Sequence, residues 1–94
     1  MAPPQQQTAQ SQASALVGWI VTDPVRLERF MAQTGWRPQD LRAGLDSLEL
    51  ARAVIDHLMA DEALLLAGCK ALSLPPETPA RLQLALDGLP TESS

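Results

Sequence analysis

Apolar residues recur at helical spacing through most of this chain, and two adjoining stretches within residues 46–72 carry the densest of them. In the first, Leu48, Ala51, Val54, Ile55 and Leu58 fall on one face, while Glu49, Arg52, Asp56 and His57 fall largely between them. That spacing predicts a half-buried helix. Asp46 can accept a hydrogen bond from the Glu49 amide and Glu49 can return one to the Asp46 backbone, so the start reads as a capping box. Such a cap is worth about 1 kcal/mol. The second stretch opens at Asp61, a helix cap, with Glu62 placed favourably against the positive end of the helix. Beyond them Leu64, Leu65, Leu66, Ala67, Cys69, Ala71 and Leu72 are apolar on almost every side, and only Lys70 demands water. This pattern predicts a helix in the middle of the molecule. The two helices should meet at residues 59–61 in a short turn, as a hairpin on which shorter helices pack.

The remaining elements follow from breakers and caps. Residues 1–10 are rich in Pro and Gln and hold no large apolar anchor after the initiator, which predicts disorder. From about Ser11 the pattern turns helical, with Ala13, Leu16, Val17 and Ile20 on one face and Ala15 and Trp19 beside it. Asp23 followed by Pro24 caps and preorganises a second helix lined by Leu27, Phe30, Met31 and Thr34. Gly35 ends it. Arg37-Pro38 opens a short helix carrying Leu41, and Pro75-Pro76 breaks the second central helix. A last helix is expected over residues 77–87, with Leu82, Ala85, Leu86 and then Leu89 on one face and Pro79 within its first turn. No period-two apolar run, internal repeat or hairpin signal interrupts this pattern.

The fold class is therefore all-α, a compact orthogonal bundle of five or six short helices around a central helical hairpin. Residues 12–89 form the single helical domain, residues 1–11 a disordered leader and residues 90–94 a disordered tail. With one Phe, no Tyr and two Trp among 94 residues, the core is built of aliphatic side chains. Burying each large one yields roughly 1.5–3 kcal/mol, against on the order of 1–2 kcal/mol of backbone entropy per residue fixed. So thin a margin makes self-association, including a homodimer, a natural expectation.

A net charge of −4 argues against a general polyanion binder. The single cysteine, Cys69, forms no internal disulfide and suits a reducing, cytoplasmic compartment. The longest early apolar run, residues 15–21, is far short of a membrane span and lacks the basic flank of an export signal.

Three stretches carry a family resemblance: GWIVTDPVRLERFMAQTG at residues 18–35, RPQDLRAGL at 37–45 and DHLMADEALLLAGC at 56–69. Together they resemble domain-of-unknown-function family 3572, a small all-helical family typical of alphaproteobacteria. Asp61, Glu62 and Leu65 carry its most specific segment. Gly68 stands where the family pattern tends to have a bulky aromatic, and Ser73 where it tends to have Gly. The resemblance implies a fold and no activity.

Candidate chemistry is sparse. His57 and Asp61, four residues apart, would offer two ligands to a metal, and two ligands make no site. A partly exposed helix histidine is the plainer reading. Cys69, within LLLAGCKAL, has no neighbouring base in sequence and reads as a small core residue. Asp61 and Glu62 are explained by capping. The least ordinary feature is the cluster Arg26, Arg29, Arg37 and Arg42 around a helix, Gly turn, helix segment, which faintly suggests helix-turn-helix spacing. Asp23, Glu28 and Asp40 dilute that charge, so nucleic acid is disfavoured. Those arginines would instead grip an acidic partner around Trp36, which serves either as an interface anchor or as a lid on the core. The expectation is a protein-interaction or structural module without cofactor or catalysis, its contact surface at Trp36, Arg37, Arg29 and Arg42. The partner is an unidentified protein or a second copy. Asp23, Asp46, Glu49 and Asp61 are structural caps.

Overall fold

Six helices account for the regular structure of the described residues, 5–45 and 47–87, in the computed structural model. They are α1 (Gln5–Val21), α2 (Pro24–Thr34), α3 (Pro38–Ala43), α4 (Leu48–Met59), α5 (Glu62–Ala71) and α6 (Thr78–Asp87). No strand occurs among the described residues. The all-α bundle expected from the apolar spacing is thus the observed class. Leu89 and the polar tail lie outside the described residues.

α1 begins at Gln5, well before the periodic pattern becomes visible at Ser11. Gln and Ala are good helix formers, and after Pro4 nothing in the sequence breaks the backbone before Thr22. Ala9 packs against the core, so apolar contact extends further toward the N-terminus than large side chains alone suggest.

α4 occupies the centre, with α1, α2, α5 and α6 all packed on it. Leu50, Val54 and Leu58 are wholly buried and Ile55 nearly so. Leu50 lies off the apolar face that the spacing predicts, whereas Leu48 and Ala51, on that face, lie half-buried. The buried arc is rotated and widened because neighbours enclose α4 from several sides. Leu16 and Ile20 of α1, Phe30 of α2 and Leu82 and Leu86 of α6 complete the core. Polar bonds then fix α6 against α4: Gln83 Nε2 donates to Asp56 Oδ1 at 2.8 Å, and Arg52 donates to the Leu86 carbonyl. A cation on an unpaired carbonyl in the last turn is favourable for both partners.

The helix ends explain the turns. Asp23 accepts from the Arg26 amide at 3.0 Å, and Pro24 occupies the first turn of α2. Gly35, at φ 83°, closes the same helix in the left-handed region. Asp61 accepts from the Leu64 amide at 3.2 Å. The cap expected at Asp46 with Glu49 falls instead on Ser47, whose Oγ accepts from the Leu50 amide at 3.0 Å. Asp46 itself lies outside the described residues. Glu49, one turn-position into α4, sits exposed against its positive end.

α5 differs from its expected place in the middle. Only Gly68 and Cys69 are buried, Leu64 and Leu65 are half-buried, and Leu66 is 45% exposed. An all-round apolar sequence does not say which side faces inward, and here Gly68 and Cys69 face inward while Leu66 lies on the outer side. The inner contact is unusual: a Cβ placed on Gly68 would lie 2.9 Å from the Trp19 ring. Trp19 therefore occupies the space that a side chain at residue 68 would need. Its ring is also held by Arg26, whose guanidinium carbon stands 3.9 Å from the ring centroid while Nε donates to the Trp19 carbonyl at 2.9 Å.

The C-terminus of α5 is a Schellman turn, with the Ser73 amide donating to the Lys70 carbonyl and the Leu74 amide to the Cys69 carbonyl. Ser73 accordingly takes φ 58°, the conformation that favours the glycine implied there by the family resemblance.

Two stability changes follow. Ser73→Gly should raise stability by about 0.5–1 kcal/mol, the left-handed strain relieved less the added chain entropy, seen as a higher midpoint in thermal melting. Gly68→Ala should cost about 1–3 kcal/mol by overpacking against Trp19. Combining it with Trp19→Leu should recover part of that loss, and a double-mutant cycle with no coupling would show that the ring can move aside freely.

Candidate functional site

The α2–α3 region holds every residue expected at the contact surface, and the structure distributes them among different neighbours. Arg26 is bound to Trp19, as above, and lies 4.0 Å from Asp23. Arg37 pairs with Asp40: its amide and its Nε both donate to Asp40 Oδ2, at 3.1 and 3.2 Å. Those bonds, together with the guanidinium charge, hold the Asp40 carboxyl below its ordinary range. Arg29 is exposed, and its charge reaches His57. Arg42 is exposed and makes no ion pair among the described residues. The arginines thus do not share one task. With α3 only six residues long, about 9 Å of helix, this arrangement gives no support to a groove-reading recognition helix.

Trp36 is half-buried and its ring packs on Phe30, centroids 6.5 Å apart with the planes tilted by 37°. It covers the core and also presents an edge. That edge lines an open concavity of about 550 Å³ whose polar wall includes Asp40, Ser47 and Glu49.

A different hollow lies on the other flank of α3. Val21, Leu27, Met31, Pro38, Leu41 and Leu45 line an apolar groove of about 230 Å³, and Arg42 is the one charged residue on its wall among the described residues. Its walls come from Val21 at the end of α1, from Leu27 and Met31 of α2, and from α3, whose Leu41 is buried. Leu45, in the loop after α3, is 50% exposed. Nothing in the apolar periodicity singled out this groove, since Leu45 belongs to no helix. An exposed leucine between two turn-forming glycine and serine positions is the only signal the sequence offers for it.

His57 does not match a partly exposed helix histidine. It is 6% exposed, its ring meets Phe30 edge-on at 5.3 Å and 84°, and Nε2 has no hydrogen-bond partner among the described residues. Burial lowers its pKa; the Arg29 charge acts in the same direction and Asp61 opposes both. Cys69 is buried, and burial with some help from Glu77 raises its thiol pKa, which leaves it protonated and a poor nucleophile at neutral pH. Among the described residues no three of His, Cys, Asp and Glu converge as a metal site would require. Nor is any described helix long and apolar enough to cross a membrane.

A model of the family described as protein of unknown function (DUF3572) matches residues 6–89. The chain belongs to this family. No curated protein and no solved structure matches it. The family assignment covers all six helices, including both walls of the apolar groove and the Trp19–Gly68 contact.

The buried imidazole makes stability depend on pH. Its folded pKa lies below the unfolded value of about 6.5, so the unfolded chain binds the proton first as pH falls. Stability is then full above that value and declines as pH drops through it. The melting temperature should fall between pH 7 and pH 5, and His57→Leu, which keeps the contact with Phe30, should flatten that decline. An equally steep decline in the variant would assign the effect to other groups.

Proposed function

We propose that this protein is a protein-interaction module without catalytic activity, and that it receives its partner on α3 and the hollows that flank it. The observation that carries this reading is the apolar groove between α1, α2 and α3. It joins exposed aliphatic surface at Leu45 to the exposed guanidinium of Arg42, which makes no ion pair among the described residues. Apolar anchors provide affinity, and a charge at the rim provides orientation. The complementary partner surface is an apolar side chain from a helix or loop with a carboxylate beside it. Trp36 adds an aromatic edge on the opposite flank, and Arg37, held by Asp40, and Arg29 border the same two helices.

The surroundings of Cys69 and His57 fit a non-catalytic role. The Cys69 thiol is buried and protonated, and the one histidine is turned into the core against Phe30. A free, buried thiol also fits the reducing environment of the cytoplasm.

Site-specific photocrosslinking in the source cell tests the reading. A photoreactive residue in place of Leu45 should yield one discrete crosslinked protein, while the same residue in place of Leu84, 75% exposed on α6, should not. Arg42→Glu should reduce the Leu45 product at least several-fold, because reversing a rim charge acts mainly on encounter. Equal products from both positions, or none from Leu45, would remove the groove as the docking site.

A further inference from the structure

The outer face of α5 has no partner among the described residues. Leu66 and the preceding Met59 are 45% and 40% exposed, and Ala63 and Ala67 are exposed beside Leu66. The only charges on this helix are Glu62 and Lys70. Both are exposed, and neither makes an ion pair among the described residues. Their spacing is regular: Glu62, Leu66 and Lys70 follow one another at four-residue intervals, so each charge stands about 6 Å along the axis from Leu66.

We propose that this face pairs with the same face of a second copy, two α5 helices packing antiparallel about a twofold axis at Leu66. Antiparallel packing places Glu62 opposite Lys70 of the partner subunit, and the twofold repeats that contact at the other end. A parallel pair would set like charges against each other. Ala63 and Ala67 leave the shallow groove into which a leucine ridge can settle at close helix separation. The pattern is self-complementary, as an isologous interface requires. The face of one ten-residue helix is small beside the roughly 800 Å² per partner of a stable complex, so association is weak and concentration-dependent. The interface is separate from the α3 groove and does not rest on the reading given to it.

Sedimentation equilibrium of the full chain from about 10 µM to 1 mM tests the pairing. The weight-average mass should climb from 10.1 kDa toward twice that value. Glu62→Lys and Lys70→Glu should each weaken association by about tenfold, since each reversal creates two repulsive contacts at once. Combining them restores opposite charges across the twofold and should recover association to within about threefold of the parent. Leu66→Lys should abolish it, and thermal melting of every variant separates loss of pairing from loss of fold. A constant mass of 10.1 kDa over the whole range overturns the proposal, as does a double variant no better than the single ones. Leu45 crosslinking that persists in Leu66→Lys leaves the groove reading standing on its own.

Discussion

Enclosure of α4 is the constraint on which the other helices depend. A helix that buries Leu50, Val54, Ile55, His57 and Leu58 has apolar side chains over more of its circumference than one neighbour can cover. α1, α2, α5 and α6 therefore each take part of it. Six wholly buried aliphatic or aromatic residues from α1, α2 and α4 belong to this core, Leu16, Ile20, Phe30, Leu50, Val54 and Leu58. Each is worth roughly 1.5–3 kcal/mol relative to exposure. Gln83 and Arg52 then supply direction that apolar contact lacks, because a hydrogen bond between two helices tolerates little sliding. The cost of this plan is His57, whose ring is needed as packing against Phe30 and whose Nε2 gives up a partner.

A second constraint ties the periphery to that centre. Trp19 sits at the end of α1, where its carbonyl is one of the last-turn acceptors without an intrahelical donor, and Arg26 supplies the donor. The same guanidinium lies over the ring, so one side chain fixes both the backbone and the indole. Where the indole meets α5, that helix presents a residue with no side chain. Gly68 is weak in a helix interior by about 1 kcal/mol relative to Ala, and the close approach of the ring accounts for its presence. Where the family resemblance implies an aromatic at this position, this chain carries an aromatic on α1 instead.

Much of the fold was legible because caps and breakers are local chemistry. Asp23-Pro24, Gly35, Arg37-Pro38 and Asp61 mark helix ends within a residue or so of the observed ones, since each acts on amides or torsions beside it. At the start of α4 two good capping residues, Asp46 and Ser47, are adjacent, and local rules do not choose between them. The choice fell to the register that buries Leu50. α5 was harder for the opposite reason: apolar on all sides, it carries no moment to orient it, and what orients it is a tryptophan 49 positions away in sequence. The arginines show the limit most plainly. Proximity in sequence suggested one basic surface, yet Arg26 turns to α1 and Arg37 to its own helix, because a carbonyl or carboxylate within reach outweighs a shared position along the chain.

α3 is the element that packing holds least. It buries one side chain, Leu41, and it is bounded by a half-buried tryptophan on one side and an exposed leucine on the other. Its order comes largely from local bonds, the Arg37–Asp40 pair at its start and the Gly44 amide bonded back to Asp40 and Leu41 at its end. Elements with few buried contacts open at lower free energy than the core they border, and binding surfaces are drawn from them because a partner can complete what the chain has left unburied. α4 can be rigid and α3 adaptable for the same reason. The apolar groove lies between α1, α2 and this third helix, which reaches the core through Leu41.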